Sequence, residues 1–264
     1  MKKLTIGLKT SLEVARVRKA GEVVAQILRE IRPGVRPGTT TSAIAAEAEA
    51  MLERLEAGAS LKGYRGYSHA VCTSVNHVAV HGLPNDAALM DDDILTVDLA
   101  AEKDGWHADG AWTYAVGTPG PTSRRLIRAA WSATLAGIAA ANAGARFGDV
   151  GHAIEEAAIE YGCSVMDRFV GHGIGQELHE DPMVLNTGEP GTGPPIVPGM
   201  VFTVEPILSL GGPEAFELDD GWSMVSQDHA LCAQFEHTVA VFGDHTDVLT
   251  GPALQLDESP MPPF

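Results

Sequence analysis

Basic residues are scarce in this chain: 18 Lys and Arg stand against 35 Asp and Glu, for a formal net charge of −17. That deficit leaves no electrostatic footprint for nucleic-acid binding, which depends on Lys and Arg neutralising phosphates. Cysteine is rarer still. Cys72, Cys163 and Cys232 make neither a disulfide framework nor a CxxC motif, so a reducing cytoplasm is the expected compartment. Long hydrophobic runs are missing too. The uncharged stretch 129–145 is rich in Ala, Gly, Ser, Thr and Asn and too small and polar to span a bilayer. The apolar part of the N-terminal MKKLTIGLKT is too short for a signal peptide. We expect a soluble cytoplasmic monomer with no membrane partner.

What is present reads as one globular domain over 1–264, with a core at about 10–242 and a loosely held tail at about 252–264. Apolar residues at helical spacing (Leu12, Ala15, Ala20, Val23, Val24, Ile27, Leu28) predict a helix over 11–31 that stops at Arg32-Pro33-Gly34. Further helices are expected near 42–55, 121–142 and 149–161. Between the pairs, GYRGYSHAVCTSV (63–75), HVAVHGLP (77–84) and ILTVDLAAEKDGWHADGAWTYAVG (94–117) are β-rich, the last a hairpin turning at Lys103-Asp104-Gly105. Stretches 165–179, 199–210, 221–228 and 231–241 read as strands and glycine-rich loops.

One segment echoes another. Gly34, Arg36, Gly38, Ala43 and Ile44 recur as Gly144, Arg146, Gly148, Ala153 and Ile154 at a constant offset of 110. Either two helix connections coincide by composition, or the chain is a duplicated half. Duplication would give an α+β fold with a site between its halves.

Asp98, Asp109, His172, Glu205 and Glu236 lie in or beside apolar or glycine-rich segments: ILTVDLA, GWHADGAW, GHGIG, MVFTVEP and AQFEHTVAV. Burying unpaired charge is costly, so four acids in core-like sequence call for a buried cation. A hairpin turn at Lys103-Asp104 would set Asp98 opposite Asp109, and a turn at Asp104-Gly105 would make them diagonal neighbours on one face. Repulsion between them grows in an apolar setting unless one is protonated or a metal lies between. The plain alternative for this pair alone is an exposed acidic hairpin. Four carboxylates with one imidazole do not suit a structural zinc site. They suit Mn, Fe, Co or catalytic Zn, and their surplus favours two ions bridged by acids. Such a pair activates water and polarises a carbonyl. His81, ending an apolar run, and His179, seven residues after His172, could then shuttle protons or donate to an oxyanion.

Across CTSVNHVAVHGLP (72–84), TVDLAAEKDGWHADGA (96–111), GHGIGQELHEDP (171–182), PGMVFTVEP (198–206) and AQFEHTV (233–239), in this order and spacing, the sequence resembles the type I methionine aminopeptidases. These are bacterial-type metallopeptidases of the pita-bread fold, a pseudo-twofold arrangement of two helix-plus-strand halves around a central antiparallel β-sheet. The resemblance spans about residues 10–242. It implies two divalent metal ions per chain (Co, Mn, Fe or Zn), bridged by Asp109 and Glu236, with Asp98 on one ion and His172 and Glu205 on the other. It makes Glu205 the acid/base partner of the bridging water and His179 a donor to the scissile carbonyl. His81 would contact the substrate near the scissile amide. Tyr64, Tyr67, Cys72 and Trp222, with His81 at the edge, would form the methionine pocket, a soft wall suited to a thioether. The implied activity is removal of initiator methionine from nascent proteins and peptides with a small second residue. The implied partners are that N-terminal peptide and, transiently, the ribosome.

The departures from the family pattern are Ser68, Ala100, Gly110, Leu61 and Leu178, none of which removes a ligand. Two other readings share the ligand set or the fold. A proline-specific enzyme of the aminopeptidase P or prolidase kind usually carries a sizeable N-terminal domain, whereas here the catalytic pattern begins almost at residue 1. A non-catalytic pita-bread binding protein typically loses ligands, and all five stand here.

Overall fold

Threonines start the first helical pair. In the computed structural model, which describes residues 6–251, the Thr10 side chain caps helix α1 (Ser11–Glu30) by accepting from the Glu13 N–H. The Glu13 carboxylate accepts from the Thr10 N–H in return. Thr40 caps α2 (Thr41–Arg54) by accepting from the Ala43 N–H. The expected tail at 252–264 lies outside the described residues. Strands β1 (Gly58–Ala59), β2 (Cys72–Val75), β3 (Val78–Val80), β4 (Ile94–Lys103) and β5 (Trp106–Ala115) complete the first half. The buried stripe of α1 (Val17, Val24, Ile27, Leu28) packs on the β4–β5 hairpin, whose residues Leu95, Leu99 and Trp112 are also fully or almost fully buried.

The second half repeats the order. Helices α3 (Pro121–Ala140) and α4 (Phe147–Glu160) precede β6 (Ser164–Val165), β7 (Gly171–Gly173), β8 (Glu180–Val184), β9 (Val201–Val204) and β10 (Ile207–Ser209). Then come β11 (Ala215–Glu217), β12 (Met224–Ser226), β13 (Cys232–Gln234), β14 (His237–Val241) and β15 (Thr246–Val248). The fold is α+β, and every strand pairing is antiparallel. Among the described residues the sheet is hydrogen-bonded in four segments: β1-β4-β2 with β5 on β4, β13-β10-β6, β11-β12-β3, and β15-β14-β9-β7-β8.

The helix pairs recur, but the five-residue echo is not their signature. Helices α1 and α3 are 20 residues each and start at Ser11 and Pro121, 110 apart, whereas α2 and α4 are 14 residues each and start at Thr41 and Phe147, 106 apart. The second connection is shorter, so Gly38 lies ahead of the α2 cap at φ 87° while Gly148 sits inside α4. The equivalent positions are the cap residues themselves, Thr40 and Arg146, each of which makes an isolated antiparallel bridge, to Ala88 and Pro195.

Two expected stretches are interrupted where the acids stand. β9 and β10 are separated by Glu205-Pro206, and β13 and β14 by Phe235-Glu236, and in both cases the two strands enter different sheets.

Candidate metal centre

The hairpin turn decides how two of the acids meet. Asp104 (φ 55°) and Gly105 (φ 78°) are both left-handed, as the two-residue primed turn requires. The resulting register pairs Ala100 with Asp109 and Asp98 with Ala111, so Asp98 and Asp109 are diagonal neighbours on one face. On its other side Asp98 pairs with Cys72. In the second half, β14 pairs with β9 through His237–Val204 and Thr238–Thr203, which sets Glu236 and Glu205 just beyond the same end of that ladder. The halves are laced together there. Glu236 N–H donates to Ala111 O at 2.8 Å, and Asp109 N–H donates to Thr238 Oγ1 at 2.9 Å, whose hydroxyl donates back to Asp109 O at 2.8 Å.

All eleven candidate site residues (Asp98, Asp109, Glu205 and Glu236; His81, His172 and His179; Tyr64, Tyr67, Cys72 and Trp222) line one cavity of about 390 Å³. One ligand atom each from Asp109, His172 and Glu236 falls within a 4.8 Å group. His172 Nδ1 lies 3.0 Å from the Gly173 carbonyl, which must accept, so the proton is on Nδ1 and Nε2 carries the lone pair. That Nε2 is 3.6 Å from Glu205 Oε1 and 3.9 Å from Asp109 Oδ2. Burial lowers His172 to about 4, leaving it neutral at pH 7.

The carboxylates are charged only at a cost. Burial, opposed by the Gly110 N–H, raises Asp109 to about 6, and burial raises Glu205 to about 8. Burial and then repulsion from Asp109 and Glu205 push Asp98 and Glu236 well above the carboxylate range. No lysine or arginine pairs with any of the four among the described residues, and Glu236 Oε1 is buried without a hydrogen-bond partner. An oxygen-rich, cation-free cluster around a neutral imidazole with its lone pair inward fits divalent metal.

That electrostatic debt predicts a pH dependence. Acids whose folded pKa is raised stabilise the fold fully below their unfolded pKa and lose that contribution as pH climbs through the folded value. Histidines lowered to about 3 or 4 (His179, His172, His237) act in the other direction, but only up to their unfolded value of 6.5. Chelator-treated protein is therefore expected to melt at progressively lower temperature between about pH 6.5 and 8, and added divalent metal should reverse the trend. Melting curves in which the metal-free Tm rises over that window would contradict this account.

A threonine holds the Glu205–His172 side of the cluster. Thr203 Oγ1 accepts from the His172 N–H at 2.9 Å and donates to Glu205 Oε1 at 2.6 Å. Thr203→Val keeps the shape and removes both bonds, and should weaken metal binding by about 10–100-fold in a calorimetric titration. Unchanged affinity would show that Glu205 is aligned without it.

The cavity walls are aromatic. Tyr67 meets Trp222 edge-on at 4.9 Å and donates its hydroxyl to Val71 O at 3.0 Å. Tyr64 stacks on His179 at 5.0 Å, and His179 lies 4.0 Å from His172, ring to ring. Burial, the neighbouring His172 and Arg65 lower His179 to about 3, and desolvation lowers His81, so both imidazoles are neutral near pH 7. Burial and the Asp98 charge push the Cys72 thiol up, keeping it a thiol.

Of the departures, Leu61 lines the cavity, whereas Leu178 is buried in the main core. Gly110 has a packing reason: a Cβ there would lie 3.0 Å from Val24 Cγ1 and 3.4 Å from Glu236 O. Sequence reasoning missed Thr203 and Thr238, although each sits two residues from a glutamate beside a strand, the spacing that returns side chains to one face. It also missed the wall residues Val80, Phe169 and Ile207 and the arginines Arg65 and Arg168. Apolar wall positions carry no signal that separates them from core.

The family model for metallopeptidase family M24 matches residues 15–242. Methionine aminopeptidase 1 of Bacillus subtilis is 37% identical over 242 residues, covering 92% of this chain and 98% of its own. Methionine aminopeptidase A of Synechocystis is 40% identical over 247 residues, covering 93% and 98%. The crystal structure of methionine aminopeptidase from Rickettsia prowazekii superposes with a TM-score of 0.92 at 36% identity, over 93% of this chain and 100% of that one. Prolidase from Pyrococcus furiosus, at 21% identity and a TM-score of 0.73, covers 93% of this chain and 65% of its own, a likeness of fold alone.

Proposed function

The chain belongs to metallopeptidase family M24, among its type I methionine aminopeptidases, and we propose that its cavity removes the N-terminal methionine of peptides whose second residue is small. The protein is a hydrolase that binds divalent metal. The observation that carries the reading is the convergence of four acids, three histidines and an aromatic wall on one cavity from distant parts of the chain.

We assign the metal site to Asp98, Asp109, His172, Glu205 and Glu236, which would hold two divalent ions of Co, Mn, Fe or Zn type, with Asp109 and Glu236 as the shared ligands. When bound, the ions supply Lewis acidity and bring the ionisation of water down to neutral pH. Tyr64, Tyr67, Cys72 and Trp222 surround the methionine side chain with polarizable, uncharged surface. Glu205 takes a proton from the attacking water and returns it to the leaving amine, a task its carboxylate can perform once a cation offsets the burial that otherwise keeps it protonated. The neutral His179 ring donates to the carbonyl oxygen as it gains negative charge, and His81 borders the scissile amide. We place the reaction in the cytoplasm, on a monomer meeting nascent N-termini, with transient ribosome contact. Among the described residues no helix is long and apolar enough to cross a membrane.

The test is cleavage of Met-Ala-Ser against Ala-Pro and other Xaa-Pro peptides with Mn(II), Co(II) or Fe(II) added. Release of methionine from Met-Ala-Ser is expected, with little action on the proline peptides. Activity confined to proline-containing substrates would sink the assignment.

A further inference from the structure

The charged residues lining the cavity fall into two groups. Asp98, Asp109, Glu205 and Glu236 gather around His172, and the only other charged lining residues besides histidine are two exposed arginines, Arg65 and Arg168. Cations at the mouth are the minority sign in this chain, which has 35 acidic and 18 basic residues. Neither arginine makes an ion pair among the described residues. The Arg65 guanidinium carbon lies 5.3 Å from the Tyr64 ring centre, and Arg168 Nη1 donates to Ala215 O at 3.3 Å. Both therefore keep most of their five N–H donors free for a ligand.

Their exposure places both on the solvent side of the cavity. Ring contacts of 4.0 Å (His172 to His179) and 5.0 Å (His179 to Tyr64), then 5.3 Å to the guanidinium, connect the metal cluster to Arg65. An extended peptide advances about 3.3 Å per residue. A peptide with its first residue at the metal cluster that leaves on this side would bring its third to fifth residues within reach of Arg65. Arg168 adjoins Phe169, which meets His81 edge-on at 6.5 Å, so the second cation borders the cavity along the His81 wall.

We propose that Arg65 and Arg168 form a downstream subsite that favours substrates with acidic side chains at the third to fifth residues. The proposal rests on the methionine aminopeptidase reading and names the substrate class of that same site. Guanidinium groups bind carboxylates through paired N–H donors, which sets them apart from a diffuse positive field. At an exposed rim each such pair changes affinity only a few-fold, and salt screens it. Because the contact is made equally in the bound substrate and the transition state, its effect falls on KM and not on kcat.

The experiment compares C-terminally amidated Met-Ala-Glu-Glu-Gly, Met-Ala-Gln-Gln-Gly and Met-Ala-Lys-Lys-Gly with the metal-loaded enzyme at low ionic strength. The glutamate peptide is expected to exceed the lysine peptide in kcat/KM by about tenfold, through KM, with the glutamine peptide between them. The ratio should shrink toward one in about 0.5 M salt, and likewise in Arg65→Gln/Arg168→Gln. Equal rates for all three peptides, or a preference that survives the double substitution, would overturn the subsite while leaving the activity intact. Cleavage of none of them would overturn the parent reading, and the subsite with it.

Discussion

Glu205→Ala is expected to lower kcat/KM on Met-Ala-Ser by about three orders of magnitude or more. The substitution removes a proposed metal ligand and the group that carries the proton between water and leaving amine, and general acid–base catalysis alone contributes about 10²–10⁴-fold. Both proposed roles rest on the surroundings of Glu205. Its Oε1 is 3.6 Å from His172 Nε2 and accepts from Thr203 Oγ1 at 2.6 Å, and burial raises its pKa to about 8. Glu205→Gln separates the two: it retains an oxygen donor but no titratable group, so metal content should recover more than turnover does. Metal analysis beside steady-state kinetics reads both quantities. An alanine variant within tenfold of the parent enzyme would remove Glu205 from the mechanism.

His179→Ala should cost about 10²–10³ in kcat, the usual loss when one donor to a developing oxyanion is removed. Metal binding should be unaffected, because His179 belongs to the wall and stacks between Tyr64 and His172. Its low pKa, about 3, means that the ring enters the reaction neutral and donates an N–H without first losing charge. The acid limb of the pH–rate profile above about pH 4 should therefore look the same in His179→Gln, which restores a donor, as in the parent enzyme. Loss of metal from His179→Ala, or a change in KM with kcat intact, would show that the ring positions ligands or substrate and does not act on the carbonyl.

Much of this candidate site is legible in the sequence. Asp98, Asp109, Glu205 and Glu236 were conspicuous because apolar strand sequence excludes unpaired carboxylates, and His172 because glycines flank it. The two-residue turn was narrowed to two registers, and the left-handed pair Asp104-Gly105 selected the one with the acids diagonal. Less was legible in the supporting shell. Thr203 and Thr238 look like any strand threonines until their hydroxyls are seen bonded to Glu205 and to the Asp109 backbone. Arg65 and Arg168 had no signal at all, because an exposed arginine in a loop is ordinary and its meaning depends on which cavity it borders. The internal echo was misleading in detail: the helix pairs do repeat, at offsets of 110 and 106, but the repeated glycines and alanines near the second helices are not equivalent.

By itself, then, the sequence determined the helix pairs, the hairpin and the identity of the acids, because amphipathic period, turn chemistry and the cost of buried charge are local properties of the chain. The tertiary structure alone decided that Ala111 and Glu236 exchange backbone hydrogen bonds across the two halves, that Thr238 fastens Asp109, and that two lone arginines share a mouth. Those contacts join residues more than a hundred positions apart, or on separate loops, and no periodicity encodes a distance between segments that meet only when the halves close.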